Sequence, residues 1–322
     1  VPSLFWYMLV HLCYTLTAMN DKAMQASIRI TDIEARSILT ETRGFTSVKV
    51  PGTGFDYSLN PYRGCSFNCS YCYAPAFVFD DDARAHWGRW VAVKANAEAL
   101  LRAVGRRGKL RGKNVYMSTV TDPYQPIERK LHLTRACLAA MVDFPPRLLT
   151  VQTRSPLVVD DIDLFKQLLP KRIAVCMSIT TDDEHVRRIF EPACAPIMAR
   201  LKAIQKVREA GIPTQASIAP LLPCDPERLA QLLDPAVDWV VVSTFRDDGG
   251  SGGKTRHWAA ELYRQYGYGD YLHDGEAHAE QTIITLRRLL GPERVRVGKD
   301  GFDQVCRELG TDDPPLAQAR LF

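Results

Sequence analysis

The sequence has no strong charge of either sign. Its 41 Lys and Arg face 37 Asp and Glu, a net of +4 over 322 residues. That balance neither demands nor forbids an anionic partner. No apolar run reaches the roughly 20 residues that a membrane-spanning helix needs. Nor is there an even, regularly scattered set of cysteines of the kind that marks a secreted disulfide framework. The nine cysteines lie at 13, 65, 69, 72, 137, 176, 194, 224 and 306, and only three of them cluster. With no export signal, the expected compartment is a reducing cytoplasm, where clustered cysteines bind metal or do redox chemistry. Hydrophobic residues at 46% and charged residues at 24% exclude a wholly disordered or fibrous chain.

Residues 4–18 (LFWYMLVHLCYTLTA) carry no Lys, Arg, Asp or Glu. The stretch is too short to span a bilayer and lacks the basic n-region of a signal peptide. With Val1 first and Met19 and Met24 as candidate starts, residues 1–23 are expected to be disordered or not native. Membrane contact is the alternative. From about residue 55 short apolar runs alternate with helical periodicity. Strands are expected at 57–63, 114–120, 148–153, 173–179, 213–219 and 239–245. Helices are expected at 92–104, 134–142, 162–169, 197–210 and 226–233. Alternating strands and helices imply βαβ units and a parallel sheet. In parallel barrels the chemistry sits at the carboxyl ends of the strands.

The densest chemical signal is Cys65-Ser66-Phe67-Asn68-Cys69-Ser70-Tyr71-Cys72, a C-x3-C-x2-C spacing directly after the first expected strand. Three thiolates within eight residues can wrap a soft metal site. An iron–sulfur cluster normally takes four cysteines, so three leave one iron open to a ligand. A structural zinc site would want a fourth Cys or His at short spacing, and no second C-x2-C knuckle is present. Zinc and unligated core cysteines remain the alternatives.

The motif resembles that of the radical S-adenosylmethionine (radical SAM) superfamily, C-x3-C-x-aromatic-C, with Tyr71 as the aromatic. The resemblance implies a [4Fe-4S] cluster on Cys65, Cys69 and Cys72, its open iron chelated by S-adenosylmethionine (SAM). It also implies reductive SAM cleavage and a 5′-deoxyadenosyl radical that abstracts hydrogen from a substrate. The fold class so implied is α/β, a partial (β/α)6 TIM-type barrel. Residues 1–54 would be an N-terminal extension, 55–245 the radical SAM core, and 246–322 a helical C-terminal extension.

Further pieces occur in order: Asn60-Pro61-Tyr62-Arg63-Gly64-Cys65, Thr121-Asp122-Pro123-Tyr124-Gln125-Pro126-Ile127-Glu128, Thr153-Arg154-Ser155, Ser178-Ile179-Thr180-Thr181 and Phe190-Glu191-Pro192. Together they look like the spore-photoproduct-lyase-like branch. That likeness implies SAM contacts from Ser118, Thr119, Thr121 and Asp122 after the second strand, with a capped turn as the other reading of Asp122. It puts Arg154 where lyases carry a SAM-contacting Lys, Ser178 at the SAM ribose, and the backbone of Ala219 at adenine. Local backbone satisfaction is the other reading of Ser178. Tyr73 would line the radical's path or simply pack. The lyase's hydrogen-donating Cys falls near Thr119, and no Cys occupies 118–122 here, so the lyase's substrate is not implied. Cys137 and Cys176 read as core. For Glu191 and Arg200 a surface ion pair is the plain reading.

Three features lead nowhere firm. Gly249–Thr255 resembles a phosphate loop, but Asp248 stands where its first Gly belongs, and 247–254 reads as a linker. His257, His273 and His278 show no metal spacing. The basic run at 102–113 suits nucleic-acid phosphates or a solvated helix end, and no aromatic interleaves it. The expected partners are a reductant such as flavodoxin or ferredoxin, with nucleic acid as a candidate substrate. The non-catalytic alternatives are an iron–sulfur electron-transfer protein and a nucleic-acid-binding module.

Overall fold

The computed structural model describes residues 28–47, 53–169, 172–244, 254–273 and 275–310. The expectations for 4–18 and for 247–253 lie outside these residues. The strands in chain order are β1 (Arg29–Ile33), β2 (Leu39–Glu41), β3 (Tyr57–Leu59), β4 (Tyr62–Arg63), β5 (Trp90–Lys94) and β6 (Asn114–Met117). There follow β7 (Leu148–Thr153), β8 (Ile173–Ser178), β9 (Thr214–Ile218), β10 (Trp239–Val242) and β11 (Val295–Val297). The main sheet has the order β11-β10-β9-β8-β7-β6-β3-β2. Every pair in it is parallel except β2 with β3. The six strands expected from the sequence are therefore present as a parallel run, the partial β/α barrel.

Each strand alternates its side chains between two cores, as a period of two requires. Val115, Met117, Leu149, Val151, Val175, Met177, Ala216, Ile218, Val240 and Val242 face the surrounding helices. Tyr116, Leu148, Ala174, Trp239 and Val241 face the lumen. Helices Ala97–Arg106, Leu133–Asp143, Ile162–Leu168, Ile197–Glu209 and Pro226–Leu233 supply the outer layer. Further into the lumen the pairing aligns Gln152, Cys176 and Gln215, then Ser178 and Ser217. The lumen thus changes from apolar at the amino ends of the strands to polar at their carboxyl ends.

Four differences from the sequence reading have physical causes. The expected 57–63 strand breaks at Asn60-Pro61, because Pro61 has no N–H for a ladder. Beyond it β4 turns away to pair with β5 in a second, three-stranded sheet with β1. The start of the expected 92–104 helix is instead part of β5, where Val91 and Val93 are buried and β-branched. β6, β8, β9 and β10 stop one to three residues early at the mouth, whereas β7 ends at Thr153 as expected; β6 ends because Ser118 takes a left-handed φ of 79°. The segment expected to be helical beyond 246 also contributes β11 to the sheet. Its last helix, Gly298–Gly310, puts Phe302, Val305, Cys306 and Leu309 against Phe55, Tyr116 and Trp239 and plugs the base of the barrel.

Candidate active site

Cys65, Cys69 and Cys72 lie on the loop that follows β4, at the mouth of the barrel. The loop's entry depends on Gly64, at φ 76°, where a Cβ would stand 2.5 Å from the Trp90 carbonyl oxygen. Gln125 then fastens it: Oε1 accepts from Ser66 N at 2.7 Å, and Nε2 donates to Thr121 Oγ1 at 3.0 Å. Thr121 Oγ1 in turn donates to Gly64 O at 2.5 Å. On the other side Ser70 N donates to Phe190 O at 2.9 Å. Cys69 is buried, while Cys65 and Cys72 are partly exposed. Burial raises the Cys65 thiol well above its ordinary value and pushes Cys72 up to about 12. Cys69 moves the other way: contact with Cys194 lowers it, burial opposes, and the Arg154 guanidinium lowers it further.

Around Cys69 lies a buried charge network. Arg154 Nη1 stands 3.0 Å from Cys69 Sγ, 2.8 Å from Tyr71 Oη and 3.1 Å from Glu191 Oε1. The Tyr71 hydroxyl also donates to Glu191 Oε1, as does Thr180 Oγ1 at 2.8 Å. Glu191 Oε2 pairs with Arg200 Nη2 at 2.6 Å. Glu191 and Arg200 are 0% and 1% exposed, which corrects the surface-pair reading. Burial would raise the Glu191 carboxyl, but Arg200 and Arg154 outweigh it and hold it at about 2. Helical spacing did carry a signal for Arg200: it falls on the stripe Ile197, Leu201, Ile204, Val207 that faces the core.

The remaining expected residues cluster at the same mouth, with different partners. Asp122 is the cap of its own turn. Its oxygens accept from Thr153 Oγ1 at 2.7 Å, Tyr124 N at 2.9 Å and Arg154 N at 2.9 Å. Burial still raises its carboxyl. Thr119 takes its N–H to Asn60 Oδ1 at 3.1 Å, and its carbonyl accepts from the Tyr73 hydroxyl. Ser178 Oγ accepts from Gln152 Nε2 at 3.2 Å. Ala219 follows β9 and is partly exposed. Ser118 differs from all of these: its hydroxyl is buried and has no hydrogen-bond partner. A buried, unsatisfied hydroxyl is costly unless something fills its valence. Sequence reasoning missed Cys194, whose Sγ lies 3.7 Å from Cys69 Sγ. It is far away in the chain, and nothing local marks it.

Three thiols on one loop, a polar lumen and an orphaned Ser118 hydroxyl fit a cluster and a polar cosubstrate at this mouth. Among the described residues no three His, Cys, Asp or Glu side chains converge on a single ion. A cubane, in which each thiolate takes a different iron, does not require such convergence.

The model of the radical SAM superfamily matches residues 59–235, more than half of the chain. The chain belongs to the radical SAM superfamily, a family that implies a [4Fe-4S] cluster and SAM, and it is in general terms a radical SAM enzyme. The Methanocaldococcus jannaschii protein described as "Uncharacterized protein MJ0683" is 34% identical over 200 residues, covering 62% of this chain and 70% of that one. "Uncharacterized protein Rv2578c" of Mycobacterium tuberculosis is 32% identical over 181 residues, 54% of this chain and 53% of that one. The chain thus spans about half the length of the mycobacterial relative. A solved point mutant of spore photoproduct lyase superposes with a TM-score of 0.54 at 16% identity, covering 83% of this chain and 81% of the lyase. That likeness is one of fold. Among the described residues no helix is long and apolar enough to cross a membrane.

Proposed function

We propose that the chain holds a [4Fe-4S] cluster on Cys65, Cys69 and Cys72 and cleaves SAM reductively to act on a substrate by hydrogen abstraction. The observation that carries this reading is the trio of thiols at the mouth beside the unpartnered Ser118 hydroxyl. When bound, the two cofactors supply an electron and a 5′-deoxyadenosyl radical. The protein's part is to bind, orient and exclude water. Cys65, Cys69 and Cys72 would hold the cluster as thiolates. Ser118 and Ser178 offer hydroxyls to the cosubstrate at the ends of β6 and β8, and the backbone of Ala219 offers a polar edge after β9. Asp122 acts through others: it holds Thr153 and the Arg154 backbone in place. With no cysteine at 118–122, a thiol relay there is not part of the proposal. A reductant of the flavodoxin or ferredoxin class in the cytoplasm suits this chemistry.

Anaerobic reconstitution with iron and sulfide tests the reading. About four irons per chain and 5′-deoxyadenosine on addition of dithionite and SAM are expected. An intact cluster that yields no 5′-deoxyadenosine overturns it.

A further inference from the structure

The Arg154 guanidinium points at a sulfur rather than into the polar lumen, and its partners explain why. Its Nη1 has three neighbours within 3.1 Å: Cys69 Sγ, Tyr71 Oη and Glu191 Oε1. The guanidinium also lies 5.8 Å from the Tyr71 ring centroid. Its side chain is 16% exposed, so solvent is an alternative place for it. Glu191 has no such freedom. It is fixed by Thr180, Tyr71 and Arg200, and Arg200 is fixed by the carbonyls of Ser178 at 3.0 Å and Ala195 at 2.9 Å. The rigid part of the network is therefore Glu191 with Arg200, and Arg154 hangs from it.

We propose that Glu191 and Arg200 are positioning residues that hold the Arg154 N–H on the Cys69 sulfur and thereby raise the reduction potential of the cluster. The proposal rests on the cluster assignment above. An N–H···S bond and a nearby positive charge both stabilise the more negative, reduced state, and such bonds are among the levers that set cluster potentials. Glu191's own charge pushes the opposite way. If Glu191 acted only through its charge, removing that charge would raise the potential. If it acts as the mount, removing it frees Arg154 toward solvent, and the potential falls. The two roles predict opposite signs.

The test is a redox titration of the reconstituted chain with dithionite and mediator dyes, followed by electron paramagnetic resonance. Iron is counted in each sample. Arg154→Gln is expected to lower the potential. Glu191→Gln is expected to lower it as well, and Glu191→Asp, which keeps the charge but shortens the arm, is expected to follow it downward. Arg200→Lys keeps a cation on Glu191 and is expected to stay near the parent. A potential that rises in Glu191→Gln, or is unchanged in Glu191→Asp, with iron fully loaded, overturns the proposal. Thr180→Val covers the case in which both Glu191 variants lose iron. It removes one neutral hydroxyl from Glu191, so a fall smaller than that of Arg154→Gln supports the mount and no change refutes it. A parent chain that binds no iron is a different failure, that of the cluster assignment, and shows before any variant is compared.

Discussion

The two ends of the barrel are built on opposite principles. At the base, the rings of Phe55, Tyr116 and Phe302 pack edge-on and tilted against one another with centroid separations of 4.8 to 5.8 Å, and Trp239 and Val305 close the plug. This is ordinary close packing, in which every contact adds to stability. At the mouth, charges and hydroxyls are buried instead: Glu191, Arg200, Asp122 and Ser118 are each at most 6% exposed. Such groups are expensive to bury, and replacing ion pairs by apolar side chains is often neutral or stabilising. One end therefore holds the fold together, while the other is arranged around three thiols. The exposed basic residues Arg106, Arg107, Lys109 and Arg111 belong to the base, because their loop feeds the amino end of β6. They stand at the wrong end of the barrel to hand a substrate to the cysteines.

The sharpest way to break this comparison is at Cys69. Cys69→Ala is expected to abolish iron binding and 5′-deoxyadenosine formation together, measured by iron assay and chromatography, with a melting temperature of the apo chain close to the parent's. Phe302→Ala should do the reverse. A large core truncation costs about 3–5 kcal/mol, so chemical denaturation should show a marked loss of stability, while iron per folded chain is unchanged. Glu191→Ala should cost a comparable 3–5 kcal/mol, since it leaves the buried Arg200 without its carboxylate, but it should also disturb the cluster.

The acid side sharpens the contrast further. Glu191 is held at about 2 in the fold against an ordinary 4.5. Its folded-state value is depressed, so its contribution is present above about pH 4.5 and is lost as the pH falls toward 2. Asp122 and Glu128, raised by burial, have the opposite sign. Denaturation followed from pH 5 to 2.5 should therefore show a steeper loss in the parent than in Glu191→Gln. The smallest effect is expected at the base surface. Arg106→Gln with Arg107→Gln should change stability by less than about 0.5 kcal/mol and leave 5′-deoxyadenosine yield intact. Any nucleic-acid binding that depends on these residues should weaken and lose part of its salt dependence.

Local signals were the legible ones. Cys65, Cys69 and Cys72 declare themselves because ligand spacing is local, and the βα alternation does so because hydrophobic period is local. The pieces around Asn60, Thr121 and Thr153 lie at or just beyond the ends of β3, β6 and β7. What stayed hidden depends on distant partners. Glu191 follows a short helix and looks like any surface acid, and only Arg154 and Arg200, arriving from two other elements, make it a buried anchor. Cys194 reaches Cys69 across 125 residues. Nothing local within Thr121–Glu128 shows that the Gln125 side chain holds the backbone of Ser66. The plug at 298–310 falls within the expected helical extension, and its apolar face gives no hint that a barrel base awaits it.

The most direct measurement of the central claim is the electron paramagnetic resonance spectrum of the anaerobically reconstituted, reduced chain, recorded with and without SAM. The account predicts a cubane signal that changes when SAM is added, from a sample holding about four irons. A chain that takes up zinc in place of iron, or a cluster signal indifferent to SAM, would contradict it.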